Sequence, residues 1–408
     1  MDQSRAIGFF VSFAITAAAA FFSYNEASLL LDPYNVFWRR TEMPKAAWAI
    51  EQFRSAKIRH LANNPNLYDT LILADSRGAM ARIREVSRDT NTRLFTLSAS
   101  ADAPVGFLPK VRWATGTQTK LQKVVLLLEL GQFQAEPRHD LLIFHEHPYV
   151  SGESWLSYYW TFSNLPYQTF LTSARYYVKR LLGVQVDAAV LLNSGFDPQT
   201  GETNAWGRAY SEFEPTAEDR AQFATLSSSD PPGRLRFHNS VLEPDVVSEL
   251  ARERGGPSAP MRKDQVESFI ELIALLRNRG IQSECVVIPV PVAGLWSQSI
   301  ALRLDWMRFV AEQCGTIWDF SFPSPITSDT YNYWDVSHFL PHVAKMMLTR
   351  VLGSDAAGSD FGARISAANF DEYRHRWEVV GRQMIRRWFA SLRSPVLTNG
   401  PSDHAATR

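Results

Sequence analysis

The chain has 408 residues with 42 basic and 42 acidic side chains, so no net charge argues for nucleic acid or another polyanion as a partner. The length allows one large domain or two. Its 12 Trp, 13 Tyr and 25 Phe suit carbohydrate-facing clefts and packed cores equally, so composition names no substrate.

The stretch 7–22 contains no charged residue. A spanning helix needs about 20 apolar residues, with a lower bound near 17, and Asn25 and Glu26 interrupt any extension. Residues 1–32 therefore read as an uncleaved signal anchor, with a cleavable signal peptide or a buried core helix as alternatives. Ala17-Ala18-Ala19 fits a cleavage site, but bulky Phe21 and Phe22 follow it and only Arg5 precedes the run. Arg5 lies ahead of the segment, Glu26 and Asp32 lie behind it, and the next basic residue is Arg39. That asymmetry predicts an inside N-terminus and an exported remainder.

After the anchor, residues 43–63 have helical spacing behind Pro44. Apolar runs at 67–74, 93–97, 123–130, 285–290 and 316–320 read as strands. Val124-Val125-Leu126-Leu127-Leu128 does not alternate, as suits a parallel strand covered on both faces. Helical stretches at 105–114, 261–279, 297–313 and 340–352 lie between them. The predicted fold is α/β, a three-layer doubly wound parallel sheet built from 35–134 and 261–353. Residues 135–260 interrupt the alternation and read as a helical and irregular insertion, either a lid or substrate wall over the active-site face or a packing appendage. Residues 354–393 read as a helical extension, in which Trp377, Val380, Met384 and Trp388 share one face, and 394–408 read as a loose tail.

Two stretches carry the chemistry. Leu71-Ile72-Leu73-Ala74-Asp75-Ser76-Arg77-Gly78 runs a strand into a small polar turn, and Asp335-Val336-Ser337-His338 sets an acid ahead of a histidine just before a helix. A serine at the exit of a buried strand is a nucleophile if a histidine takes its proton and a carboxylate orients that histidine. The roles would be Ser76 nucleophile, His338 general base and Asp335 orienter, with Arg77 anchoring substrate or closing an ion pair. No G-x-S-x-G elbow, G-x-G-x-x-G or P-loop is present.

The order Ser…Asp-x-x-His resembles the SGNH (GDSL-like) hydrolases, whose fold is SGNH/flavodoxin-like, over most of 67–353. Their first motif is Gly-Asp-Ser, and here Ala74 replaces the glycine. Their second motif is a glycine whose N–H binds the oxyanion. The matching stretch here is Leu97-Ser98-Ala99-Ser100-Ala101-Asp102, so backbone N–H groups of Ser98 and Ala99, with that of Ser76, are the expected donors. Of the third motif, Gly-x-Asn-Asp, only Gly131 is kept, and the amide of Gln132 or Gln134 stands in for the asparagine.

The pattern looks closest to divergent membrane-anchored SGNH-like proteins of the bacterial envelope, among them relatives of the alginate O-acetylation and teichoic-acid D-alanylation proteins. Asp32-Pro33-Tyr34-Asn35 after the apolar helix is similar to theirs. The resemblance implies an esterase or O-acyltransferase acting on an envelope glycan or small acyl ester, with no cofactor. It also implies a membrane-bound O-acyltransferase partner and an inner-membrane, single-pass location with the main domain in the periplasm. The rival is a non-catalytic glycan-binding or scaffolding component of the same fold.

Two features stand apart. His139, His145 and His147 do not have a usual zinc spacing, and metal is not expected. Cys285 in a strand and Cys314 at a helix end read as two buried thiols, with a bridge in an oxidising periplasm as the alternative.

Overall fold

A computed structural model describes residues 3–32, 36–37, 53–136, 145–184, 200, 259–296, 299–329, 332–333, 338–353 and 361–393. The chain forms two compact units. The first comprises Met1–Glu214, Pro260–Val287 and His338–Gly358, and the second Pro215–Ala259, Ile288–Ser337 and Ser359–Arg408. Residues 35–134 and 261–353, read as one α/β domain, are thus shared between the two.

In chain order the first unit begins with α1 (Gln3–Leu31), α2 (Phe53–Asn63), β1 (Thr70–Leu73), a 3₁₀ turn (Ser76–Met80), α3 (Ile83–Thr90) and β2 (Leu94–Thr96). It continues with α4 (Pro104–Thr117), β3 (Lys123–Leu128), α5 (Leu130–Gln134), α6 (Pro148–Ser151), α7 (Trp155–Ser163) and α8 (Tyr167–Leu181). Helix α9 (Lys263–Asn278) and β4 (Gln282–Val287) come next. The chain then passes through α10 (Val292–Trp296), α11 (Ile300–Cys314), β5 (Thr316–Asp319) and α12 (Pro325–Ser328) of the second unit. It returns to the first in α13 (Pro341–Leu352) and ends in β6 (Ala363–Ser366), α14 (Phe370–Arg376) and α15 (Arg382–Arg393) of the second.

In the first unit β2, β1, β3 and β4 are parallel and lie side by side in that order. Leu71 stands opposite Phe95 on one side and Val124 on the other. Every residue of β1 is buried, as are all but the first of β3, which explains the non-alternating apolar runs. Chain order reverses at β1, between β2 and β3, and ligands in open α/β sheets bind beyond the carboxyl ends of the strands at such a switch point.

The apolar run 7–22 lies in α1, a helix of 29 residues. Among the described residues no helix is long and apolar enough to cross a membrane, so the expected transmembrane anchor is without support from the fold. The C-terminal end of α1 is instead engaged by the folded chain. Tyr24 donates to Leu165 O at 2.6 Å, Ser28 Oγ donates to Tyr24 O at 2.8 Å, and Asp32 accepts from Val36 N at 2.8 Å and Phe37 N at 3.0 Å. Around them the described part of the insertion closes a buried cluster of Val36, Tyr158, Phe162 and Leu165. Helix α2 is seated by fully buried Ile58 and Leu61, and Tyr158 of α7 donates to its Ser55 Oγ at 2.6 Å.

The second unit departs from an all-parallel reading, because β5 and β6 pair antiparallel, with Ile317 opposite Ile365. Strand β6 has too few apolar residues to stand out in the sequence. Gly362 just before it has φ +92°, and a Cβ there would come within 2.3 Å of the Phe320 ring. Buried Asp319 accepts from Ser321 N at 2.8 Å, from Trp377 Nε1 at 3.4 Å and from the Tyr373 hydroxyl. Between α14 and α15 the helix loosens into a π turn, Trp377–Gly381. The extra residue of a π turn rotates the succeeding helical turns about their axis. Trp377, Gly381 and Ile385 are buried whereas Val380 is exposed, so the single face expected for Trp377, Val380 and Met384 does not persist.

Cys285 and Cys314, read as buried thiols, are both disulfide-bonded. The tail 394–408 lies outside the described residues, as does His139.

Candidate active site

Strand β1 ends at fully buried Leu73, buried Ala74 follows it, and the chain then turns at Asp75. The Asp75 side chain caps the 3₁₀ turn by accepting from Arg77 N at 2.9 Å. Gly78 is what lets this turn fold back on the strand. A Cβ there would lie 2.2 Å from Ala74 Cβ and 3.2 Å from Ser98 Cβ. Ser76, first in the turn, is thereby left half-exposed at the carboxyl end of β1.

His338 comes from the short segment ahead of α13, whose start is set by Pro341 in the first turn. Its Nε2 lies 2.9 Å from Ser76 Oγ. Helix α13 is tied to α3 by Lys345, which donates to Glu85 at 2.7 Å and lies 3.3 Å from Asp89. The hydrogen bond to Glu85 is the main cause of the raised Lys345 pKa. Asp335, the expected orienter, lies outside the described residues.

Arg77 closes an ion pair, one of the two roles expected for it. Both ends of its guanidinium donate to Glu129, which follows β3, and Nη2 lies 3.2 Å from Asp75 Oδ2. The pair therefore spans the switch point between β1 and β3. Burial pushes the Asp75 carboxyl above its ordinary value and the Glu129 charge adds to that, against lowering by Arg77 and His338. Sequence reasoning does not single out Glu129; its signal is an acid at the exit of a buried strand.

The expected oxyanion donors are mostly engaged. Ser98 N donates to Thr96 Oγ1 at 3.2 Å, and Ala99 N donates to Ala74 O at 3.1 Å, which seats the turn after β2 beside the turn carrying Ser76. Gln132 uses both ends of its amide at the start of α5, where Oε1 accepts from Glu129 N at 3.2 Å and Nε2 donates to Leu127 O at 3.3 Å. Two backbone N–H groups at this end of the sheet, those of Ser76 and Ala101, donate to nothing among the described residues. Ala101 has φ +52°, a left-handed conformation that favours glycine, and sequence inspection gives no sign of it.

Behind the same turn sit buried charges that sequence reasoning misses. Lys57 donates to Ser98 O at 2.8 Å and Arg54 to Ser100 O at 2.6 Å. Arg54 also pairs with Glu146 and, at 3.4 Å, with Asp102, while Lys110 bridges Asp102 at 2.6 Å and Glu146 at 2.9 Å. The signal available is two cations three residues apart in a helix with buried apolar neighbours.

The described histidines of the insertion, His145 and His147, contact their own segment. His145 Nε2 lies 2.6 Å from Glu153, and His147 Nδ1 accepts from Tyr149 N at 3.3 Å. Among the described residues no group of three or more metal-ligating side chains occurs.

A serine hydroxyl in hydrogen-bond contact with an imidazole, beside uncommitted backbone N–H groups, is able to attack an acyl carbonyl and pass its proton on. A comparison with known protein families finds no family model that matches this chain, and no curated protein matches it.

Proposed function

We propose that the chain is an SGNH-type serine esterase or O-acyltransferase of the bacterial envelope. Ser76 Oγ attacks the ester carbonyl and its proton passes to His338 Nε2. The leaving alcohol takes that proton as the carbonyl re-forms. Water, or a glycan hydroxyl in a transferase, then attacks the acyl-serine with His338 again as base. The orienting carboxylate is assigned to Asp335 by its spacing from His338 alone, and Arg77, held by Glu129 and Asp75, keeps the turn rigid. The Ser76 N–H and the 98–102 turn supply the oxyanion donors.

One observation carries the reading: Ser76 and His338, 262 positions apart, meet at 2.9 Å. An exported location is supported by the disulfide-bonded state of both cysteines, since disulfides persist in oxidising compartments. The exposed Val11, Phe13, Ile15 and Phe22 of α1 suit membrane attachment, and the exposed Tyr149, Trp155 and Trp160 of the insertion suit a glycan. By the same resemblance a membrane-bound O-acyltransferase would hand over the acyl group.

A second reading, a non-catalytic glycan-binding or scaffolding component, is favoured by the engaged amide of Gln132. The test uses the full chain with 4-nitrophenyl acetate and a fluorophosphonate probe, beside Ser76→Ala and His338→Ala. Labelling and turnover that vanish in both variants support the enzyme. A wild type that neither labels nor turns over ester leaves the binding component as the reading.

A further inference from the structure

Five charged side chains, Arg54, Lys57, Asp102, Lys110 and Glu146, gather behind the turn that follows β2, and none takes part in the chemistry described above. Lys57 is 0% exposed, Lys110 1% and Arg54 7%. Three are basic side chains and two are carboxylates. Burying such a set is costly, and apolar residues would hold a loop as well.

The cations do something apolar residues are unable to do. From one face of α2, Lys57 grips the Ser98 carbonyl at 2.8 Å and Arg54 grips the Ser100 carbonyl at 2.6 Å. In a trans peptide the N–H points away from the preceding carbonyl. Arg54 therefore aims the Ala101 N–H to the side opposite the cluster, and that N–H donates to nothing among the described residues. The conformation it requires, φ +52° at a residue with a Cβ, is not one the turn adopts by itself. Gly106 completes the arrangement, since a Cβ there would lie 2.1 Å from Asp102 Oδ1.

We propose that Arg54 and Lys57 are positioning residues that lock the 98–102 turn so that the Ala101 N–H is presented as an oxyanion donor to an acyl group on Ser76. This rests on the serine-nucleophile reading above. The lock acts on the rate of the covalent step and not on affinity, because it strengthens a contact made only as negative charge develops on the carbonyl oxygen.

The test measures fluorophosphonate labelling of the full chain, separating the limiting rate constant from the probe's affinity, with thermal melting alongside. Lys57→Met keeps the buried stem and removes the ammonium. The limiting rate is expected to fall by about tenfold or more, with affinity within about twofold. Lys57→Gln, which keeps a donor for Ser98 O, is expected to recover part of the loss. If Lys57→Met does not fold, Arg54→Lys takes its place: it keeps the charge, loses the forked grip, and is expected to show the same fall in rate. Labelling at the wild-type limiting rate in the folded variant overturns the proposal, whatever happens to the melting temperature. A wild type that does not label at all sinks the serine reading and this inference with it.

Discussion

Ser76 Oγ and His338 Nε2 stand 2.9 Å apart because two turns converge on one end of a parallel sheet. The first turn is fixed by Gly78 and the Asp75 cap, the second by Pro341 at the start of α13 and by Lys345 of that helix, bound to α3. Neither side chain is held by the other alone, so the pair is arranged before any substrate arrives.

The Arg77–Glu129 pair joins the β1 turn to the end of β3, with side chains 11% and 12% exposed. Glu129→Gln leaves a largely buried guanidinium with weaker acceptors. Stability is expected to fall by on the order of 3 kcal/mol, read from urea unfolding. An unchanged midpoint would mean the pair holds nothing.

Gly78→Ala puts a methyl group 2.2 Å from Ala74 Cβ, where backbone or strand end has to shift. The expected result is loss of probe labelling at Ser76 together with a lower melting temperature, because the nucleophile's turn and the strand move as one. A variant that labels normally would show that the turn tolerates displacement.

Acid stability is expected to depend on Glu146. Burial alone would raise its pKa, but Lys110 and then Arg54 outweigh that and hold it below its ordinary value. A lowered folded pKa contributes stability that is present above the unfolded value, about 4.3, and is lost as pH falls through the folded one. Asp75, raised mainly by burial, has the opposite sign: its contribution is present below its unfolded value and is lost as pH rises through the folded one. Melting temperatures of Glu146→Gln between about pH 7 and pH 3 should therefore decline less steeply than the wild type's. Parallel curves would exclude Glu146 as a source of the decline.

With both cysteines bridged, unfolding without reductant should expose no reactive thiol, and reduction should expose two. Reduction is also expected to cost about 3 kcal/mol of stability. Thiol titration and melting with and without reductant check both, and free thiols in the unreduced protein would contradict the bridged state.

Strands β1 and β3 are legible in the sequence because nearly all their residues are buried, whereas β4 opens on the polar Gln282, Ser283 and Glu284 and is expected only from Cys285 onward; Ser76 and His338 are legible because each adjoins a boundary between an apolar run and a turn. Other features are not legible, for separate physical reasons. Strand β6 is an antiparallel partner with a mixed face, and the π turn at Trp377 changes helical phase without any special residue type. Asp335 lies outside the described residues, so its role rests on spacing. The hydrogen bonds that engage Ser98, Ala99 and Gln132 are not legible either, because they depend on neighbours far along the chain, such as Ala74. The left-handed Ala101 is invisible in a sequence where glycine alone advertises that conformation.

Helix α2 precedes the first strand, yet its Arg54 and Lys57 reach the turn after β2, and its Ser55 is tied to Tyr158 of α7. Strand content is therefore a poor guide to the shortest piece of this chain worth expressing. A truncation that began at β1 would retain the whole parallel sheet, the nucleophile and the imidazole. It would also hand the Ser98 and Ser100 carbonyls to water and leave Asp102 and Glu146 with Lys110 alone among their present cations. The working unit starts with a helix that no diagram of the sheet would include.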